Sequence, residues 1–234
     1  MTTPSLSWPT ALLYRSLRIT GRLPLGVLHA LGAGIGRALW FAHGRLRQVT
    51  ERNLSLVLTQ ESAQTRHALG HAALVESGEA LAETAKIWGT SPATALALIR
   101  EINGKPLFDA ALAQGRGLIV AAPHLGCWEL LNYWLAARAP LAILYRAPRH
   151  AGLEPLLLKA RGALPVEQVR AEGAGVRVLY RRLIAGGVVG ILPDQKPRHG
   201  EGVPAPFFGV PSSTMVLLPR LARRTGAPVL FSFV

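Results

Sequence analysis

The residue types and spacing that could do chemistry in this chain lie in one short segment, Pro123-His124-Leu125-Gly126-Cys127-Trp128-Glu129. At 3.6 residues per turn, a histidine and a glutamate five positions apart on a continuous helix stand roughly 140° apart and cannot meet. They can meet if a helix starts between them, and Gly126 is a natural place for that start. His124 then lies in the loop at the carboxyl end of a strand, where open α/β sheets place their ligands, and Glu129 lies in the first helical turn. Such a carboxylate fixes the imidazole tautomer and stabilises the imidazolium, leaving the other ring nitrogen to take a proton from a hydroxyl. The expected unit is a general-base dyad. Alone it is a weak signal, because chance His/Glu pairs are common and a lone histidine is more often structural.

Cys127, the only cysteine, offers a competing chemistry, a thiol nucleophile paired with His124 and a covalent intermediate. Beside Trp128 it reads better as a small packing residue. No G-x-S-x-G elbow, Walker loop or metal-ligand cluster occurs in the sequence, so serine-hydrolase, nucleotide and metal chemistry have no motif behind them and no cofactor is expected. Gly32, Gly34 and Gly36 are no dinucleotide loop, since Arg37 stands where the third glycine belongs.

The specific signal is the company that His124 keeps. H-x-x-x-x-E after an apolar run, then Tyr145-Arg146, Pro193-Asp194-Gln195 and Pro206-Phe207-Phe208-Gly209-Val210-Pro211 follow in order, with Arg52-Asn53-Leu54 upstream. This arrangement resembles the lipid A biosynthesis lauroyl/myristoyl acyltransferase family, part of the wider glycerolipid acyltransferase group with its H-x-x-x-x-D/E motif. The resemblance implies transfer of a fatty acyl group from acyl carrier protein to a hydroxyl of a lipid A precursor or related glycolipid. It implies the cytoplasmic face of a bacterial inner membrane as the place. His124 and Glu129 fall on the family's catalytic pair, and for such an acyl transfer the oxyanion is expected to be met by backbone N–H groups at the helix start after His124.

By the same resemblance Arg146 is expected to bind a phosphate, on the acceptor or on the carrier's phosphopantetheine arm, the bland reading being a solvated arginine. Asp194, with Gln195 beside it, is expected to orient acceptor groups or pair with Arg146; the alternative is a turn-forming aspartate after Pro193. Phe207 and Phe208 are expected in a loop, lining an acyl groove or touching the bilayer, or simply packing a turn. Cys127 stands where many relatives carry a polar residue. The family usually extends some tens of residues further, so the domain is expected to be truncated at its C-terminus.

The elements that must position these residues are legible in outline. Apolar runs at 117–122, 141–145, 188–192 and 228–234 are short and bounded by Gly or Pro, which predicts buried strands. Helical patterns at 129–137, 175–185 and 213–225 separate them, so the expected fold is α/β, a mostly parallel sheet flanked by helices on both faces. Residues 60–88 and 91–100 read as helices before the sheet, the second capped by Ser91 with Pro92 at its first position. Residues 23–42 (LPLGVLHALGAGIGRALWFA) are about as long as a bilayer span requires, yet hold His29 and Arg37 and have arginines on both sides. That pattern suits a segment lying in the headgroup region. Two units are therefore expected: residues 1–44 associating with membrane, and an acyltransferase α/β domain over residues 45–234.

Composition sets the outer bounds. The 234 residues are 50% hydrophobic and 17% charged, which excludes disorder as the main state. Lys and Arg number 26 against 13 Asp and Glu, for a net charge of +13. Anionic partners follow, an anionic membrane among them. Only four of the basic residues are lysine, and arginine's planar fork suits bidentate phosphate contacts. A basic nucleic-acid-binding protein is the alternative from another class, but aromatics are only 6% and no nucleic-acid module is recognisable, so no nucleic-acid partner is expected. Within enzymes, a lysophospholipid or glycolipid acyltransferase and a thioesterase are the competitors.

Overall fold

The short apolar runs become the strands of one parallel sheet. The computed structural model describes residues 7–148, 150–197 and 200–234. Four helices come first: α1 (Trp8–Thr20), α2 (Leu25–Phe41), α3 (Arg45–Val57) and α4 (Ala63–Gly89). Two shorter ones, α5 (Pro92–Leu96) and α6 (Lys105–Ala113), lead into β1 (Leu118–Ala121), α7 (Trp128–Ala136) and β2 (Leu141–Tyr145). Then follow α8 (Glu154–Arg161), β3 (Val166–Arg170), α9 (Gly175–Ile184) and β4 (Val188–Ile191). The chain continues through β5 (Gly202–Phe207), β6 (Val210–Met215), α10 (Leu217–Thr225) and β7 (Val229–Phe231).

The sheet order is β3-β2-β4-β1-β7, and every pairing is parallel. All five strands therefore end at the same edge. Ala121 lies opposite Ile191 on one side and Phe231 on the other, so the loops after β1 and β4 leave the sheet side by side. Alternation along each strand divides the core. Leu118, Val120, Leu141 and Ile143 pack with Phe108, Leu131, Trp134 and Leu135 from α6 and α7. Ile119, Ala121, Val189 and Ile191 pack with Leu179 and Leu183 of α9 and with Leu218 and Leu221 of α10.

Three expected elements change, the first being the helix expected over 91–100, which spans only Pro92–Leu96. The run at 228–234 is a strand only over Val229–Phe231, and the chain then leaves the sheet to bring the Val234 carbonyl to the Cys127 N–H, 2.6 Å away. The helix expected from residue 213 starts at Leu217, because Val210–Met215 pairs antiparallel with Gly202–Phe207. The turn of that hairpin is Phe208 and Gly209, at φ 49° and 76°, the doubly left-handed pair that a two-residue hairpin turn needs.

The N-terminal helices pack on α4 through glycines. A Cβ on Gly32 would stand 2.4 Å from the Gly78 carbonyl oxygen, and one on Gly36 would stand 2.3 Å from that of Leu74, so the backbones of α2 and α4 nearly touch. His29, which counted against a membrane span, meets Glu83 at 3.0 Å. Lys86, buried, donates to the carbonyls of Gly21 and Leu23 just past the end of α1, a cation where a helix end offers unpaired acceptors. The opposite face of α2 leaves Val27, Leu31, Ile35 and Leu39 exposed, one every four residues. Among the described residues no single helix is long and apolar enough to cross a membrane; α2 and α3 reach that length only as a pair bent by 82°.

Candidate active site

His124 lies in the loop between β1 and α7, at the sheet edge where the sequence puts it. Its helix does start between His124 and Glu129: α7 begins at Trp128, with Cys127 as its N-cap. The partner of the imidazole, however, is Asp194. Its Oδ1 lies 2.8 Å from His124 Nδ1, and its Oδ2 accepts the His124 backbone N–H at 2.7 Å. A carboxylate that takes both the ring and the backbone of one residue fixes both position and rotamer. It also requires Nδ1 to carry the proton, which leaves the Nε2 lone pair free to accept.

Gln195 occupies that second nitrogen, its side-chain Nε2 lying 3.0 Å from His124 Nε2, where it donates in this tautomer. Trp128 packs edge-on against the imidazole at 4.8 Å between ring centres. Burial acts to raise the Asp194 pKa, but the hydrogen bonds from the His124 ring and backbone outweigh it and hold the carboxyl below its ordinary range.

Glu129 is elsewhere. From the first turn of α7 it turns into the interior, 2% exposed, where Arg161 of α8 grips both carboxylate oxygens, with Nε at 3.0 and 3.1 Å and Nη2 on Oε1. Trp88 of α4 adds an indole N–H at 3.1 Å. The expectation that Glu129 fixes the imidazole is thus corrected, for its oxygens are taken by Arg161 and Trp88. Glu129 ties together α4, α7 and α8, the helix that follows the His124 loop and its two neighbours.

Cys127 is half-buried, and burial, first among the causes, pushes its thiol up to about 11. At neutral pH it is a protonated thiol and a poor nucleophile. Its backbone N–H, an expected oxyanion donor, is taken by Val234.

Arg146 follows β2 at the same edge, exposed, its guanidinium 3.4 Å from the Lys196 carbonyl, within reach of the loop that carries Asp194 and Gln195. It does not pair with Asp194. Tyr145 before it is buried and donates to Glu154 at 2.7 Å, and Arg170 at the end of β3 takes both oxygens of the same carboxylate. The Arg170 hydrogen bond, then that of Tyr145, hold the Glu154 carboxyl below its usual value. This triad pins α8 to the ends of β2 and β3. Phe207 and Phe208 stand exposed at the tip of the β5–β6 hairpin, edge to face at 4.8 Å. They are on a hairpin, not an irregular loop.

The fold is that of an α/β protein whose parallel sheet presents a carboxylate-held histidine at its carboxyl edge, with the second ring nitrogen facing the Gln195 amide. The chain belongs to the bacterial lipid A biosynthesis acyltransferase family, whose sequence model matches residues 5–234. It is 26% identical over 223 residues to the lipid A biosynthesis lauroyltransferase of Escherichia coli, covering 94% of this chain and 71% of that protein. It is 31% identical over 137 residues to the phosphatidylinositol mannoside acyltransferase of Mycobacterium tuberculosis, in two strains. That match takes in 57% of this chain and spans 43% of the length of the mycobacterial protein.

Proposed function

We propose that this protein transfers a fatty acyl group from acyl carrier protein to a hydroxyl of a lipid A precursor, with His124 as general base and Asp194 as its orienting partner. The observation that carries the reading is the hydrogen bond between Asp194 and His124 Nδ1. The acceptor hydroxyl displaces the Gln195 amide from Nε2 and gives its proton to that nitrogen as its oxygen attacks the thioester carbonyl. The carbon–sulfur bond of the tetrahedral intermediate then breaks, and the departing thiolate takes the proton back from the imidazolium. Glu129 acts as a positioning residue. No group beyond the side chains is required for these steps.

The acceptor is an amphiphile, so the protein works at a membrane, the cytoplasmic face of a bacterial inner membrane. The exposed stripe on α2 supports this, together with Trp8, Leu12 and Ile19 exposed on α1 and arginines on either side. Similarity to the mycobacterial protein supports a second acceptor, a phosphatidylinositol mannoside. The test is acyl transfer from acyl carrier protein thioesters to each acceptor, by the parent and by His124→Ala. Product with one acceptor, lost in His124→Ala, is the expected result; free fatty acid as the sole product would instead make the protein a thioesterase. Flotation on anionic vesicles, weakened by Leu31→Ser/Ile35→Ser, checks the membrane face.

A further inference from the structure

A cavity of about 990 Å³ opens beyond Arg146 on the α9 and α10 side of the sheet. Its floor is apolar, with Leu144, Val178, Met215 and Leu221 among the lining residues. Its walls are basic. Arg177 and Arg181 lie one turn apart on α9, and Arg220 and Arg224 lie one turn apart on α10, all four lining the same space. The sequence suggests a solvated or membrane-facing basic face for Arg177, Arg181 and Arg182 rather than a site, and gives no sign that α10 answers Arg177 and Arg181 across a cavity.

Glu172 and Glu201 also line it, so five arginines including Arg146 face two carboxylates. Among the described residues none of these arginines forms an ion pair with a carboxylate, whereas Arg161, Arg170 and Arg182 each have one. Arg224 stacks over Tyr180 of α9 at 4.8 Å, which holds one guanidinium towards the opposite helix. Like charges gathered around an apolar floor repel one another unless an anion is bound between them.

We propose that this cavity binds the phosphate of a phosphorylated substrate that carries an apolar or extended body, the phosphate held by α9 and α10 and the body lying on the apolar floor towards Arg146 and His124. The inference rests on the acyl-transfer reading only for its two sources, a lipid phosphate on the acceptor side or the phosphopantetheine arm on the donor side. Both present one chemistry, a phosphate ester that paired guanidinium forks can grip.

Calorimetric titration of the full chain with octyl phosphate and with 4′-phosphopantetheine separates them, inorganic phosphate serving as the bodiless reference. At least one ester is expected to bind more tightly than inorganic phosphate, with an affinity that falls as salt rises. Octyl phosphate alone assigns the cavity to the acceptor, and phosphopantetheine alone assigns it to the donor. Arg177→Gln/Arg181→Gln and Arg220→Gln/Arg224→Gln are each expected to weaken binding by roughly tenfold or more, and the matching double Lys variants to recover part of it. Binding of either ester by the parent, with no acyl transfer by the parent to any acceptor, would defeat the acyl-transfer reading and leave the cavity assignment standing. Absence of binding by the parent, or equal binding by the parent and both folded Gln variants, overturns the proposal.

Discussion

The buried pair of Glu129 and Arg161 separates two accounts of the H-x-x-x-x-E motif. Glu129 is 2% exposed and Arg161 15%, so solvent hardly reaches the carboxylate and reaches the guanidinium only in part. Arg161→Met removes the guanidinium and leaves a buried carboxylate with only the Trp88 N–H, a situation that costs about 3–5 kcal/mol. For a chain of this length each kcal/mol moves Tm by about 2–4 °C, so a fall of roughly 6–20 °C is expected. Glu129→Gln should cost less, because the guanidinium it strands retains some access to water. Glu129→Gln/Arg161→Met removes both charges and should recover much of the loss. The assay is thermal unfolding followed by tryptophan fluorescence, with acyl transfer per folded molecule measured well below each Tm. A positioning role predicts that Tm falls in both single variants while the rate per folded molecule falls far less than in His124→Ala. Glu129→Gln at the parental Tm with a loss of roughly 100-fold in turnover, the size expected for a lost proton-transfer partner, would refute that role and return Glu129 to the proton relay.

His124→Ala should lower turnover by about 100-fold or more with only a small fall in Tm, from the loss of the ring hydrogen bond to Asp194, and Asp194→Asn should approach it in turnover because the imidazole loses its fixed tautomer. Cys127→Ala should leave turnover near the parent's, since the thiol, raised to about 11, is protonated at neutral pH; the reverse pattern in steady-state kinetics would establish a thiol intermediate. The folded Asp194 carboxyl has a lowered pKa, so its contribution to stability is complete above the ordinary Asp value of about 3.9 and is lost as pH falls through the folded value. The Tm difference between the parent and Asp194→Asn should accordingly close as pH is lowered through that range, and a gap that widens in acid would contradict it. Arg146→Ala should act mainly on KM, lowering kcat/KM by roughly 10- to 100-fold, and Arg146→Lys should restore part of this, with parental kinetics in both variants removing Arg146 from the site.

The parts of the fold legible in the sequence are those where burial alone dictates residue type. β1, β2 and β4 are buried almost throughout, and such strands read as unbroken apolar runs. β3 lies at the sheet edge, and its Val-Glu-Gln-Val-Arg buries only two side chains, so nothing marks it as a strand. β5 and β6 contain three prolines and bury none of their side chains; they exist through pairing with each other around Phe208-Gly209. Proline ordinarily argues against a strand, and the hairpin accommodates it because both strands are edges. The α2 glycines suit a bilayer helix and a close helix pair equally well by composition, and only the partner α4 shows how Gly32 and Gly36 are used.

The site shows the same division between local and distant information. That His124 sits after a strand and before a helix is written within seven residues, and the structure keeps it. Which carboxylate reaches it depends on strand order, because β4, some 70 residues later, inserts between β1 and β2. With Ala121 in register with Ile191, the next few residues of both strands emerge together, and Asp194 meets His124 as a consequence of that pairing. Glu129 is closer in sequence but belongs to α7, whose inward face packs against α4 and α8, and a carboxylate there is tolerable only with a cation such as Arg161 beside it. The spacing of His124 and Glu129 is therefore accounted for without contact between them: it is the distance from a strand-end histidine to the first buried position of the helix that follows its loop.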